Sequence, residues 1–147
     1  MISVIPDTNV IISGMMGYKS PSRQILNLSM ARKIKLIGCS QTLSEFSTRV
    51  RLPRMQRYWQ KKYFSPEKLV RDYQTMMLMH EPLPEFEAMK IEIQDKDDAI
   101  FFKLALSCNA RIIISQDKHA LALHGFRGLK VVTPEKFVEV YTKLKQS

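Results

Sequence analysis

Arg111-Ile112-Ile113-Ile114-Ser115 is the stretch that most narrows the folds open to this chain. It is short, β-branched and apolar at consecutive positions, so neither face is offered to water. Such a run reads as a central strand in a sheet covered on both sides. Three further short apolar runs accompany it: Val4-Ile5, Lys35-Leu36-Ile37-Gly38-Cys39 and Gly128-Leu129-Lys130-Val131-Val132. Segments of helical period separate them. Ser20-Pro21 opens one helix, with Ser20 as its cap and Pro21 at the first position. Ser40 is the expected cap of a second, in which Leu43, Phe46 and Val50 share a side. Ser65-Pro66-Glu67 opens another, and Thr133-Pro134 the last. From Glu81 to Met89, with Pro82 and Pro84, the expectation is a loop with a short strand on either side. Strands alternating with helices, without a tight hairpin signal, specify an α/β fold with a mostly parallel central sheet. A length of 147 residues suits one domain, residues 1–147.

The strand ends carry the chemistry. Pro6 cannot donate a ladder hydrogen bond, so the first strand stops there and Asp7 emerges at its carboxyl end, ahead of a second β-branched run, Val10-Ile11-Ile12. Asp117 follows the end of the isoleucine strand. If the two strands are parallel, both carboxylates lie at the edge where ligands gather in open α/β sheets. Asp95 and Asp98 flank the start of the apolar helix Ala99–Leu106, and Glu45 lies on a helix entered directly from the second strand. Each acid alone is ordinary turn or helix-start chemistry. Together they place several carboxylates at one rim, where they repel and take up protons unless a cation compensates them. An oxygen-only cluster suits Mg²⁺ or Mn²⁺. His80, His119 and His124 form no i, i+3 or i, i+4 pair, and Cys39 and Cys108 belong to no CxxC, so the cysteines read as free thiols.

Around those acids the chain is basic, with a net charge of +9 and a pI near 9.7, which favours a polyanionic partner. The excess is concentrated. Between Arg49 and Arg71 stand eight basic residues against the single acid Glu67, interleaved with Tyr58, Trp59, Tyr63 and Phe64. Most of the aromatics are expected to pack inward. Arg49, Arg51, Arg54, Arg57, Lys61 and Lys62 are the candidates for holding a nucleic-acid backbone. No apolar run is long enough to span a bilayer and no signal-peptide pattern opens the chain, so a cytoplasmic protein without a membrane partner is expected.

Four segments in order, Asp7-Thr8-Asn9-Val10, Ser44-Glu45-Phe46, Asp95-Lys96-Asp97-Asp98 and Ile113-Ile114-Ser115-Gln116-Asp117-Lys118, resemble the successive motifs of PIN-domain nucleases. Within that family they resemble most the VapC-like toxin components of type II toxin–antitoxin systems. The resemblance implies a three-layer α/β/α fold, Mg²⁺- or Mn²⁺-dependent endoribonuclease activity on RNA, frequent homodimers and often a partner antitoxin. It places the four catalytic acids on Asp7, Glu45, Asp98 and Asp117. Asp98 is preferred to Asp97 because the helix register from Asp98 to Ala105 matches the motif. In that assignment Asp7, Asp98 and Asp117 are metal ligands, and Glu45 assists the metal or orients the attacking water. Asn9 and Ser115 would order the carboxylates by hydrogen bonds. His119 stands where many relatives carry a further acid. The alternatives are a catalytically silent PIN-fold domain that binds RNA or protein, or a phosphoryl-transfer domain. A haloacid dehalogenase-type phosphatase would want an Asp where Asn9 stands, and a receiver domain would want an acidic pair just after the first strand, where only Asp7 is found.

Overall fold

Every strand expected from the apolar runs forms, and every one lies parallel to its neighbours. The computed structural model describes residues 1–17 and 19–146. The chain runs β1 (Ile2–Pro6), α1 (Thr8–Met16), α2 (Pro21–Met30), β2 (Ile34–Gly38), α3 (Ser40–Val50), α4 (Pro53–Lys61), α5 (Pro66–Met76) and β3 (Met77–Met79). It continues with the short α6 (Pro84–Glu87), a 3₁₀ turn at Lys96–Asp98, α7 (Ala99–Cys108) and β4 (Ile112–Ile114). The short α8 (Lys118–Leu121), a second 3₁₀ turn at Phe126–Gly128, β5 (Lys130–Val132) and α9 (Pro134–Gln146) complete it. The sheet order is β3-β2-β1-β4-β5.

Alternation along the strands divides the core into two layers. Val4, Leu36 and Ile114 join one cluster, with Phe46, Trp59, Leu69 and Phe137 from the helices on that face. Ile5, Ile37 and Ile113 join the other, with Phe102 and Leu104 of α7. With helices on both faces of the sheet, this is the expected α/β/α arrangement. Trp59 is buried, Tyr58 and Phe64 are half-buried, and Tyr63 alone of the four interleaved aromatics points outward, 95% exposed. Cys39 and Cys108 are free thiols. Among the described residues no helix is long and apolar enough to cross a membrane.

The run Val10-Ile11-Ile12 is helical, within α1, where it is buried together with Thr8 and Gly14 while Asn9 stays exposed. Two local expectations change. Ser40 is the first residue of α3 and not its cap. Thr42 caps the turn instead: its Oγ1 accepts from the Cys39 N–H at 2.8 Å and donates to the Cys39 carbonyl at 3.0 Å, while Ser40 donates to Glu81. The Glu81–Met89 stretch is preceded by β3 but holds α6, and no strand follows it before β4 among the described residues.

The packing of α1 on α2 requires a glycine. A Cβ at Gly14 would lie 2.7 Å from Leu26 Cδ1 and 2.9 Å from the Ser22 carbonyl oxygen, and backbone cannot step aside cheaply. Gly14→Ala is therefore expected to lower the unfolding free energy by about 1–3 kcal/mol in urea titrations, the range of an overpacked contact, despite alanine's better helix propensity. An unchanged or raised midpoint would contradict this packing.

Candidate active site

The crevice lies where the sheet changes direction. From β1 the chain moves to β2 and β3 on one side, whereas β4 and β5 build outward on the other, so β1 and β4 are neighbours with connections leading apart. Ligands of open α/β sheets bind outside the carboxyl ends of such a strand pair. Pro6 is in register with Ile114, so Asp7 and Ser115 leave the sheet side by side. The Asp7 N–H donates to the Ile114 carbonyl at 2.9 Å, which extends the ladder by one residue past Pro6.

Asp7 is buried and serves first as the cap of α1, its Oδ1 accepting from the Val10 N–H at 2.9 Å. Its Oδ2 accepts from the Ser115 hydroxyl. The same Ser115 oxygen accepts from the Asp117 N–H at 3.0 Å, so one buried hydroxyl ties the two strand ends together. Asp117 in turn caps α8 through its Oδ1 and the His119 N–H, 2.8 Å apart. Asp98 ends the 3₁₀ turn that leads into α7, and Asp95 caps that turn by accepting from the Asp97 N–H at 3.1 Å.

Asp95, Asp98 and Asp117 each bring a carboxylate oxygen to within 4.8 Å of the other two. Asp98 Oδ2 is buried with no hydrogen-bond partner among the described residues. A buried, unpartnered carboxylate oxygen is costly and asks for a proton or a cation. Burial raises the Asp98 pKa to about 8, helped by a proton shared with Asp117 and by the charges of Asp117, Asp95 and Asp7. Asp117 is lowered, mainly by the His119 N–H, so the shared proton rests on Asp98. Burial also raises Asp7, against the hydrogen bonds from Ser115 and Val10. Three oxygen donors without nitrogen or sulfur fit a hard divalent ion.

Glu45 lies outside this trio, toward Asp7 and Asp97. Half-buried on α3, it is raised by desolvation, although Arg49 and a hydrogen bond with the Thr8 side chain oppose the rise, and it feels the charges of Asp97 and Asp7. Its Oε1 is paired with Arg49 at 2.7 Å. Asn9 Oδ1 accepts from Arg49 at 2.6 Å, which links it to Glu45 through that guanidinium. Arg49 therefore belongs to the rim of the site. Arg51, Arg54, Arg57 and Lys61 are exposed, while Lys62 is half-buried over the Tyr58 ring.

Asp95 was not among the four acids assigned from the sequence. The signal that finds it is the Asp-x-x-Asp spacing across a 3₁₀ turn, because three residues per turn set positions i and i+3 on one side. Asp97, at the intervening position, is exposed and outside the trio.

The protonation of Asp98 has a thermodynamic sign. Its folded pKa lies well above that of an unfolded aspartate, so the folded chain binds the extra proton between about pH 4 and pH 8. The stability this proton contributes is fully present below about pH 4 and is lost as pH rises through 8. In EDTA, Asp98→Asn, neutral at every pH, should therefore melt progressively higher than wild type between pH 5 and pH 8, by about 4 °C for each kcal/mol regained. A difference in Tm that stays constant across that interval would contradict the assignment.

Comparison with known proteins bears on the family and the fold. The family model described as PIN domain matches residues 3–119. Curated proteins give no sequence match. Among solved structures, VapBC2 from Rickettsia felis, bound to a DNA fragment from its promoter, is similar with a TM-score of 0.60 at 10% identity, over 88% of this chain and 97% of that one. VapBC-1 from nontypeable Haemophilus influenzae gives 0.59 at 14% identity, over 91% and 99%. A protein of Pyrobaculum aerophilum gives 0.60 at 15% identity, over 96% and 98%. At such identities the structural likeness speaks for the fold, and the family match spans well over half of the chain. The chain belongs to the PIN domain family.

Proposed function

We propose that this protein is an endoribonuclease dependent on Mg²⁺ or Mn²⁺, and that it is the toxin of a toxin–antitoxin pair. The observation that carries the nuclease reading is the convergence of Asp95, Asp98 and Asp117, with Asp98 Oδ2 buried and unpartnered, at the switch point of a strongly basic chain. Asp98 and Asp117 would hold the ion, Asp95 would complete the set, and Asp7, fixed by Ser115, would face it from the end of β1. When bound, such an ion supplies activation of water and compensation of the charge that develops on phosphorus. The side chains do the rest. Glu45, held on α3 beside Thr8, orients the water that attacks. Ser115 keeps the Asp7 and Asp117 ends at a fixed separation. The exposed Arg51, Arg54, Arg57 and Lys61, with Lys62, hold RNA phosphates. A catalytically silent domain is the weaker reading, because Asp7, Glu45, Asp98 and Asp117 are all present.

The partner reading rests on the resemblance and on the similar VapBC structures. An open cavity of about 820 Å³, lined by Leu26, Ile34, Leu69 and Met76 with Arg23 and Asp72 among its charged residues, offers a place for the apolar anchors of an antitoxin segment. A homodimer and a cytoplasmic setting go with the same reading, and two free thiols fit a reducing compartment.

Single-stranded RNA incubated with Mn²⁺ or Mg²⁺ should be cleaved by the wild type and left intact in EDTA. Asp98→Asn should abolish cleavage while retaining RNA binding, since removing a negative charge does not weaken attraction for phosphate. Ser115→Ala should lower the rate by about 10–100-fold, the usual cost of losing a group that orients ligands. Cleavage in EDTA, or full activity in Asp98→Asn, would refute the nuclease reading. Separately, charge reversal at Arg54 and Arg57 should weaken RNA binding and flatten its dependence on log salt by about one unit for each phosphate no longer neutralised. An unchanged slope would make those charges a solvated face.

A further inference from the structure

Arg49 differs from the rest of the basic segment in where its guanidinium goes. One nitrogen, Nη2, pairs with Glu45 Oε1 at 2.7 Å, and the other, Nη1, donates to Asn9 Oδ1 at 2.6 Å. The pair with Glu45 alone would be an ordinary i, i+4 contact that supports α3. The second arm is not local, because it crosses to α1 forty residues away and lands two positions beyond Asp7. A planar fork suits such a bridge, whereas a lysine ammonium could not span both acceptors in the same geometry. The charge is also felt at Asp7, where Arg49 favours the ionised carboxylate. A fixed positive charge thus borders a rim that carries Asp7, Glu45, Asp95, Asp98 and Asp117.

We propose that Arg49 is a positioning residue that acts as a built-in counter-cation. In the metal-free protein its guanidinium holds Glu45 against Asn9, and when a divalent ion settles among the acids Glu45 is released toward that ion and Arg49 toward the phosphates of the RNA. The inference rests on the metal-dependent reading above. The strength of the bridge suits an exchange. The Arg49 and Glu45 side chains are 35% and 20% exposed, so the pair is open to solvent and screened, and a doubly charged ion competes with it readily. Competition has a consequence that structural support of α3 lacks: removing Arg49 should strengthen ion binding, and only while Glu45 retains its charge.

The test is isothermal titration of Mn²⁺ into the full chain for wild type, Arg49→Ala, Glu45→Gln and the double variant, with Tm in EDTA recorded for each. Arg49→Ala should bind Mn²⁺ about 3–10-fold more tightly than wild type, and that gain should largely vanish in the Glu45→Gln background, the signature of coupled residues in a double-mutant cycle. In EDTA, Arg49→Ala should melt below wild type, with the gap closing when Mn²⁺ is added. If Arg49→Ala folds poorly, Asn9→Ala removes the second arm alone and should show a smaller tightening in the same direction. Equal or weaker Mn²⁺ binding by Arg49→Ala overturns the proposal. So does a tightening of the same size with Glu45→Gln present, which would reduce Arg49 to a distant charge. Failure of every variant, wild type included, to bind Mn²⁺ contradicts the metal reading itself, a result distinguishable from the wild-type titration alone.

Discussion

The pairing of β1 with β4 is the constraint on which the site depends. Their register sets Pro6 beside Ile114, and the Asp7 N–H continues the ladder to the Ile114 carbonyl. From that point one buried hydroxyl, Ser115 Oγ, serves both exits by donating to Asp7 and accepting from the Asp117 N–H. Both aspartates also cap the helices they precede, α1 and α8, which fixes the carboxylates by the same bonds that start those helices. Slipping β4 by one residue would exchange the faces of Ile113 and Ile114 between the two core layers. The apolar packing of the sheet and the position of the acids are therefore a single requirement.

A cluster of carboxylates is an unfavourable thing to build into a folded protein, and this chain offsets it in three ways. A proton held on Asp98 relieves the contact with Asp117. Backbone N–H groups at the starts of α1 and α8 neutralise part of the charge on Asp7 and Asp117. Arg49 supplies a full positive charge on the Glu45 side. None of the three gives Asp98 Oδ2 a partner. The rim is thus compensated only in part, as the proposed exchange of a proton and an arginine for a metal ion requires.

How much of this could be seen in the sequence depends on which physical force decides each element. Ile112–Ile114 is legible because a run of β-branched residues fits a doubly covered strand and little else. The caps at Ser20 and Ser65 are legible because their bonds are local. α1 is not, because its β-branched run Val10-Ile11-Ile12 is buried at consecutive positions, a pattern that suits a strand as well as a helix. β3, three residues Met77–Met79 at the edge of the sheet, is anticipated only as a short strand before the Glu81–Met89 stretch, because it owes its state to pairing with β2 and has no β-branched residue to mark its place. Among the site residues, Asp7 and Asp117 follow from strand ends and parallel order, whereas Asp95 requires knowing that the turn before α7 is 3₁₀. The Glu45–Arg49 pair is visible in its spacing, but the arm from Arg49 to Asn9 is a tertiary contact, and no local pattern encodes it.

The central claim is that the carboxyl edge between β1 and β4 is a divalent metal site. Its most direct test is anomalous diffraction from crystals of the protein grown or soaked with Mn²⁺. A manganese peak is predicted among the carboxylates of Asp98, Asp117 and Asp95, at about 2.1–2.2 Å from the nearest oxygens, and is predicted to be absent in Asp98→Asn. Saturating Mn²⁺ with no peak at that rim, or a peak only at another place on the molecule, would contradict it.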